Sequence, residues 1–261
     1  MRESACRLPY EIVEIVIAHA VDDLGALQAC SLTCHSWYIA AVPHLHHILT
    51  LGDNIPGIAP GKLKPLSKLH QLGLMPLVKE IRVEQTRTWF VPQTLSRRGL
   101  RYFSAFANVQ TLRLERLDIF RFIPGIERYF GQFSSTLRSI ALLRPFCTPR
   151  QLSHFLSLFS NLDDIKIWRA CTRLENPTIP DAELVPFSMP KLRGRLVLHD
   201  FGSVETWTHL VASGSDLRFR YMDLCNAGGC PPVLFEACAE TLETLRLEAP
   251  RFSATDGSDG E

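Results

Sequence analysis

Leu137-Arg138-Ser139-Ile140-Ala141-Leu142 decides the fold, because its apolar spacing returns four more times along the chain. The other copies are Val78-x-x-Ile81-x-Val83, Val109-x-x-Leu112-x-Leu114, Leu162-x-x-Ile165-x-Ile167 and Leu242-x-x-Leu245-x-Leu247. Side chains alternate faces along a strand, so the last two apolar positions of each copy share one face. Looser copies stand at Leu196-x-Leu198 and Leu217-x-Phe219-x-Tyr221, and Ile48-Leu49-Thr50-Leu51 reads as a first edge strand. Between the last apolar residues, at 83, 114, 142, 167, 198, 221 and 247, the steps are 31, 28, 25, 31, 23 and 26 residues. The segments between copies carry helical spacing. Thr148 supplies an N-cap, Pro149 a first position without a wasted N–H, and Leu152, Phe155, Leu156 and Phe159 one apolar face. Residues 101–107, 120–133, 203–212 and 232–239 read the same way.

Strands alternating with helices imply an α/β fold, with a parallel sheet on one side and helices on the other. Periods of this length are the signature of leucine-rich repeats, which stack into a curved solenoid with strands on the concave side and helices on the convex side. The alternative is an open doubly wound sheet. That fold usually shows near-continuous apolar strands and a glycine-rich phosphate turn, and this chain has neither. Residues 174–190, with four prolines, read as an irregular loop, and the small, polar, acidic residues 251–261 as a disordered tail. The expected layout is a helical module over 1–47, repeats over 48–250 and the tail.

The module rests on residues 8–47, which read as three short helices. Pro9 suits a first helical position, with Ile12, Ile15, Val16 and His19 following on one face. Asp22 or Asp23 caps a second helix with Leu24, Leu27 and Cys30 or Ser31 on one side; Thr33 caps a third, which Trp37 anchors and Pro43 ends. Forty residues cannot bury this much apolar surface internally, so something else must cover part of it. Leu8-Pro9-x-Glu11-Ile12, Ile15-Val16-Ile17, Leu24, Leu27, Cys30-Ser31-Leu32-x-Cys34 and Trp37 together resemble an F-box. The run Cys30-Ser31-Leu32-Thr33-Cys34-His35-Ser36-Trp37, followed by Pro43-x-Leu45-His46-His47 and a leucine-rich remainder, is further similar to the large F-box families of mushroom-type fungi. The resemblance implies that Leu8, Pro9, Glu11, Ile12, Ile15, Val16, Leu24, Leu27, Cys30 and Trp37 dock a Skp-type adaptor and, through it, a cullin. It implies a non-catalytic substrate adaptor of a ubiquitin ligase. The competing expectation is a repeat scaffold in which this module serves only as an N-terminal cap.

Composition narrows the function classes. With 28 basic and 27 acidic residues there is no strong field to draw in nucleic acid or membrane, although residues 51–250 hold 25 basic against 19 acidic side chains. No apolar run approaches the roughly 18 residues of a membrane helix, and the N-terminus lacks a signal-peptide pattern. Eight scattered cysteines read as reduced packing thiols of an intracellular protein, cytoplasmic or nuclear.

Candidate chemistry is sparse. Cys30, Cys34, His44 and His47 offer zinc-ligand types, but the cysteines fall on helix positions that packing explains. Asn226-Ala227-Gly228-Gly229 lacks the Lys-Ser of a phosphate loop, and His199, Asp200 and Ser203 lack a nucleophile elbow. No enzyme, cofactor or metal is expected.

Recognition is placed on the strands. The outward residue between the last two apolar positions is Arg82, Arg113, Ala141, Lys166, Val197, Arg220 or Arg246. Glu84, Glu115 and Glu248 neutralise the two ends of that row. Lys166, Trp168, His199, Arg218 and Arg220 then remain as an unpaired centre for an acidic or phosphorylated segment of a target protein. The bland reading of the same residues is an ordinary solvated sheet face.

Overall fold

The computed structural model describes residues 8–52, 64–84, 102–116, 130–169, 190–200, 204–226 and 232–248. Three helices come first: α1 (Tyr10–His19), α2 (Leu24–Ser31) and α3 (His35–Leu45). Their ends differ in detail from the sequence reading. Pro9 occupies the N-cap, one place before the helix, and Asp23 caps α2 by accepting from the Ala26 N–H at 3.0 Å. Thr33 does not cap α3; its hydroxyl donates back to the Ala29 carbonyl at 3.2 Å, and Cys34 holds the N-cap place. Nor does Pro43 end α3, which runs two residues past it. Pro43 removes the bond to the Ile39 carbonyl one turn back, and the helix stops two residues later.

Eight strands follow: β1 (Ile48–Gly52), β2 (Glu80–Glu84), β3 (Thr111–Glu115), β4 (Ser139–Leu143), β5 (Asn161–Trp168), β6 (Lys191–His199), β7 (Asp216–Cys225) and β8 (Thr244–Glu248). All are parallel, and they lie side by side in the order of the chain. The protein is thus α/β, and the last two apolar positions of all five full copies lie on strands. The register aligns Val83, Leu114, Leu142, Ile167, Leu198, Leu224 and Leu247 in one row. Leu224 therefore takes the place expected for Tyr221.

Of the three places between Tyr221 and Leu224, one has a local cause, and the other two follow from β7 running on to Cys225. At Gly194 and Arg195 the pairing of β6 with β7 is irregular: Gly194 faces Phe219, Arg195 faces Tyr221, and Arg220 is the extra residue of a β-bulge. One inserted residue moves every later side chain by one place along the strand.

Among the described residues four more helices connect the strands: α4 (Lys64–Gln71), α5 (Pro149–Ser157), α6 (Val204–Ala212) and α7 (Pro232–Cys238). Thr148 and Gln151 form the reciprocal capping box of α5. Among the described residues between β2 and β3, a 3-10 turn, Phe103–Ala105, stands within the range 101–107 that reads as a helix. One sheet face packs on these connections. Its inward residues, among them Ile81, Leu112, Ile140, Ile165 and Leu196, join Phe155, Leu156, Trp207 and Leu234 in a continuous core. A second, separate core of Val13, Ile17, Leu27, Ala40 and Ala41 lies among α1, α2 and α3.

No helix among the described residues is long and apolar enough to cross a membrane. The proline-rich loop at 174–189, the tail at 251–261, residues 120–129, Ser203 and Gly228-Gly229 lie outside the described residues.

Among the described cysteines Cys34 is exposed, whereas Cys147 and Cys238 are buried. Burial raises the Cys238 thiol above its ordinary value. Alkylation followed by mass mapping should therefore label Cys34 within minutes and Cys238 only on unfolding. Early labelling of Cys238 would contradict this packing.

Candidate functional site

The candidate residues lie on two surfaces. The first lies on the three N-terminal helices. Val13 and Ile17 turn inward from α1, and Leu27 is buried with them, while Cys30 and Trp37 pack half-buried at the margin. The opposite side of α1 carries Ile12, Ile15 and Val16, all exposed, with Ile15 at 54%. Leu8, Pro9, Glu11 and Leu24 are exposed beside it, and so are Tyr10, Leu32, Tyr38 and Ile39. The helical spacing of Ile12, Ile15 and Val16 marks the outer face of α1. The buried face is the neighbouring pair Val13 and Ile17, which the sequence reading passed over. Of the ten residues picked for docking, seven are exposed, two half-buried, and Leu27 belongs to the interior. An apolar area of this extent on a folded unit marks a surface that another body covers.

The second surface is the outward face of the sheet. The charges expected to stand unpaired in its centre are paired. Lys166 Nζ lies 2.6 Å from Asp164, Arg218 Nε 2.7 Å from Asp216, and Arg220 Nε 3.8 Å from Glu243. Arg193 reaches the same Asp216 at 3.6 Å, and Arg82 pairs with Glu80 at 2.6 Å, not with Glu84. The rule missed in the sequence is simple: the carboxylate two residues earlier on a strand shares the face as fully as the one two residues later. Such half-exposed pairs each contribute between nothing and about 1 kcal/mol.

The bulge also changes the outward row, because the residue aligned with Val197 and Arg246 is Asp223, not Arg220. Asp223 is buried, with Arg246 at 3.9 Å and the Tyr221 hydroxyl donating at 3.5 Å.

The five residues chosen for target binding fall in three places. Arg218 and Arg220 line a groove of about 490 Å³ with Asp163, Arg193, Gly194 and Thr241, near the amino end of β7. Lys166 sits in mid-strand, facing Val197. Trp168 and His199 are register partners at the carboxyl ends of β5 and β6, with ring centroids 6.0 Å apart. At about 3.3 Å per residue, seven residues of strand put Arg218 roughly 20 Å from that end. They do not form one site.

The carboxyl rim has a regularity of its own. The residue after each of five successive strands adopts a left-handed backbone: Arg116, Arg144, Arg169, Asp200 and Asn226, with φ between 50° and 55°. Each donates its N–H to the last carbonyl of the next strand, Leu143, Trp168, His199, Cys225 and Glu248 in turn, at 2.7–3.1 Å. Asparagine and aspartate visit this conformation readily; for arginine it costs about 1–2 kcal/mol. The side chains continue the ladder at one end. Arg169 Nε donates to Asp200 at 3.0 Å, and Asn226 Nδ2 donates to its other oxygen at 2.8 Å. Those two bonds, the one from Asn226 first, hold the Asp200 carboxyl below its ordinary range. Cys225 donates to Glu248 at 3.4 Å, and desolvation together with that bond raises its thiol.

Among the described residues no three His, Cys, Asp or Glu side chains converge as metal ligands do. Neither the family models, nor the curated proteins, nor the solved structures contain a match to this chain.

Proposed function

We propose that the chain is a non-catalytic substrate adaptor of a Skp–cullin–F-box ubiquitin ligase. In this reading residues 8–47 are an F-box-like module that docks a Skp-type adaptor and through it a cullin. The strands and helices beyond are a leucine-rich-repeat-like solenoid that holds a target protein on its outer sheet face. Catalysis belongs to other subunits, and the adaptor supplies proximity.

The observation that carries the reading is the exposed apolar face of Leu8, Ile12, Ile15, Val16 and Leu24. A module serving only as an end cap would turn that face onto the first strands. Here the module has its own core, and the face is left open. A target segment would lie along the outer sheet face, with Trp168 and His199 as its aromatic contact and the Arg218–Arg220 groove as a second contact. An acidic segment there would displace Asp164, Asp216 or Glu243 from exposed ion pairs, which costs little.

The test is capture of a purified Skp-type adaptor by the full chain, wild type against Ile12→Glu/Ile15→Glu. Both positions are exposed, so the variant keeps its fold. Burying unpaired carboxylates in an apolar interface costs about 3 kcal/mol, so capture should weaken by roughly 100-fold or more. A folded wild-type chain that captures no adaptor would overturn the ligase reading in favour of the scaffold.

A further inference from the structure

The carboxyl rim of β3 to β6 carries one arginine that no described residue pairs. Arg116, Arg144 and Arg169 end three consecutive strands. Strand spacing sets their backbones about 4.8 Å apart, close enough for three guanidinium groups to repel one another. Two carboxylates answer them. Glu115 lies 3.9 Å from Arg116, and Asp200 lies 3.0 Å from Arg169. Arg144, in the middle, has no ion pair or side-chain hydrogen bond among the described residues. Its backbone is locked, because its N–H is held by the Trp168 carbonyl at 2.7 Å. The guanidinium is thus presented from a rigid point. Beside it, on the outward face, stand Leu143, then Trp168 and His199 with their rings in contact, all half-buried.

We propose that this rim captures the C-terminal carboxylate of a target chain, with Arg144 as the oxyanion partner and Trp168 and His199 receiving the last side chain. The inference rests on the reading of the sheet as a target-binding surface, and not on adaptor docking. A carboxylate has two oxygens and one negative charge, which matches the single forked guanidinium of Arg144. A terminal residue also carries its side chain within one strand spacing of its carboxylate. An internal aspartate places the next side chain on the opposite side of the segment instead.

The probes are fluorescein-labelled random heptapeptide pools ending in Leu or Phe, as free acids and as amides. Amidated pools with a central Asp or phosphoserine are measured alongside. With the full chain, the free acids should bind about 10-fold tighter than their amides, the worth of one bidentate charge-assisted contact. The preference should vanish in Arg144→Gln. It should vanish also in Arg144→Gly, which accepts the left-handed backbone and should keep or raise the thermal midpoint, so the loss cannot be laid to unfolding. The proposal is overturned if acid and amide bind alike or not at all. It is equally overturned if the amidated Asp or phosphoserine pools match the free acids, or if the preference survives in Arg144→Gln. Adaptor capture measured on the same samples separates the two readings. Capture without acid preference overturns the rim alone, and acid preference without capture overturns the ligase reading alone.

Discussion

Gly194→Ala will cost the fold about 3–5 kcal/mol, a large share of the 5–15 kcal/mol that holds a typical domain together. Two separate effects add at this position. Gly194 has φ of +73°, where an L side chain costs about 1–2 kcal/mol. An added Cβ would also lie 2.3 Å from the Asp163 carbonyl oxygen and 3.2 Å from its carbon. That neighbour is backbone of β5, and it cannot yield without spoiling the β5–β6 pairing on both sides of the bulge. Gly73 provides the control, since its φ is +67° but nothing lies within 4 Å of an added Cβ. Gly73→Ala should therefore lose only about 1 kcal/mol, the conformational part alone. Urea unfolding midpoints of the two variants test this, and equal losses would show that the Asp163 contact does not govern.

Phe130→Ala is the second large loss, at about 4 kcal/mol. Phe130 is fully buried, with edge-on ring contacts to Phe103 at 5.9 Å, Phe133 at 6.4 Å and Phe155 at 6.0 Å. Phe155 passes the contact on to Phe159 at 5.3 Å. The rings thus join the connection before β3, the connection before β4 and α5 into one apolar seam. Removing the middle ring opens a cavity whose walls belong to separate connections, so the site collapses poorly and the cavity persists. Phe106 sits at the end of the seam, with one ring contact, to Phe103, among the described residues. Phe106→Ala should lose less. A Phe130→Ala loss below about 2 kcal/mol, from chemical unfolding, would mean that the seam closes on itself.

The strands were legible because their signal is local and repeated. Five copies of one spacing located β2, β3, β4, β5 and β8, and Thr148-Pro149 located the start of α5. The missed register in β7 has a definite origin. Leu217, Arg218, Phe219, Arg220 and Tyr221 alternate so regularly that the strand reads as complete at Tyr221. The extra residue is set by Gly194 on the neighbouring strand, and a pairing irregularity across strands leaves no mark in the sequence of one. Charge pairing failed for a different reason. The acids at 80, 164 and 216 precede their cations, and only the acids that follow were weighed. In the module, Ile12, Ile15 and Val16 were recognisable as a stripe, but periodicity does not say which of two apolar stripes is inside. The left-handed rim was invisible. Asp200 and Asn226 are ordinary residues for that backbone, whereas Arg116, Arg144 and Arg169 carry no propensity that announces it.

The strict agreement between spatial and chain order has a consequence for synthesis. Each strand from β2 onward pairs with the one translated just before it, so a nascent chain leaving the ribosome finds its docking edge already built. No strand must wait for a distant partner or thread between two others, and loop closures stay short. Assembly can then advance from β1 to β8 in step with translation, and the growing edge at any moment is a single recent strand.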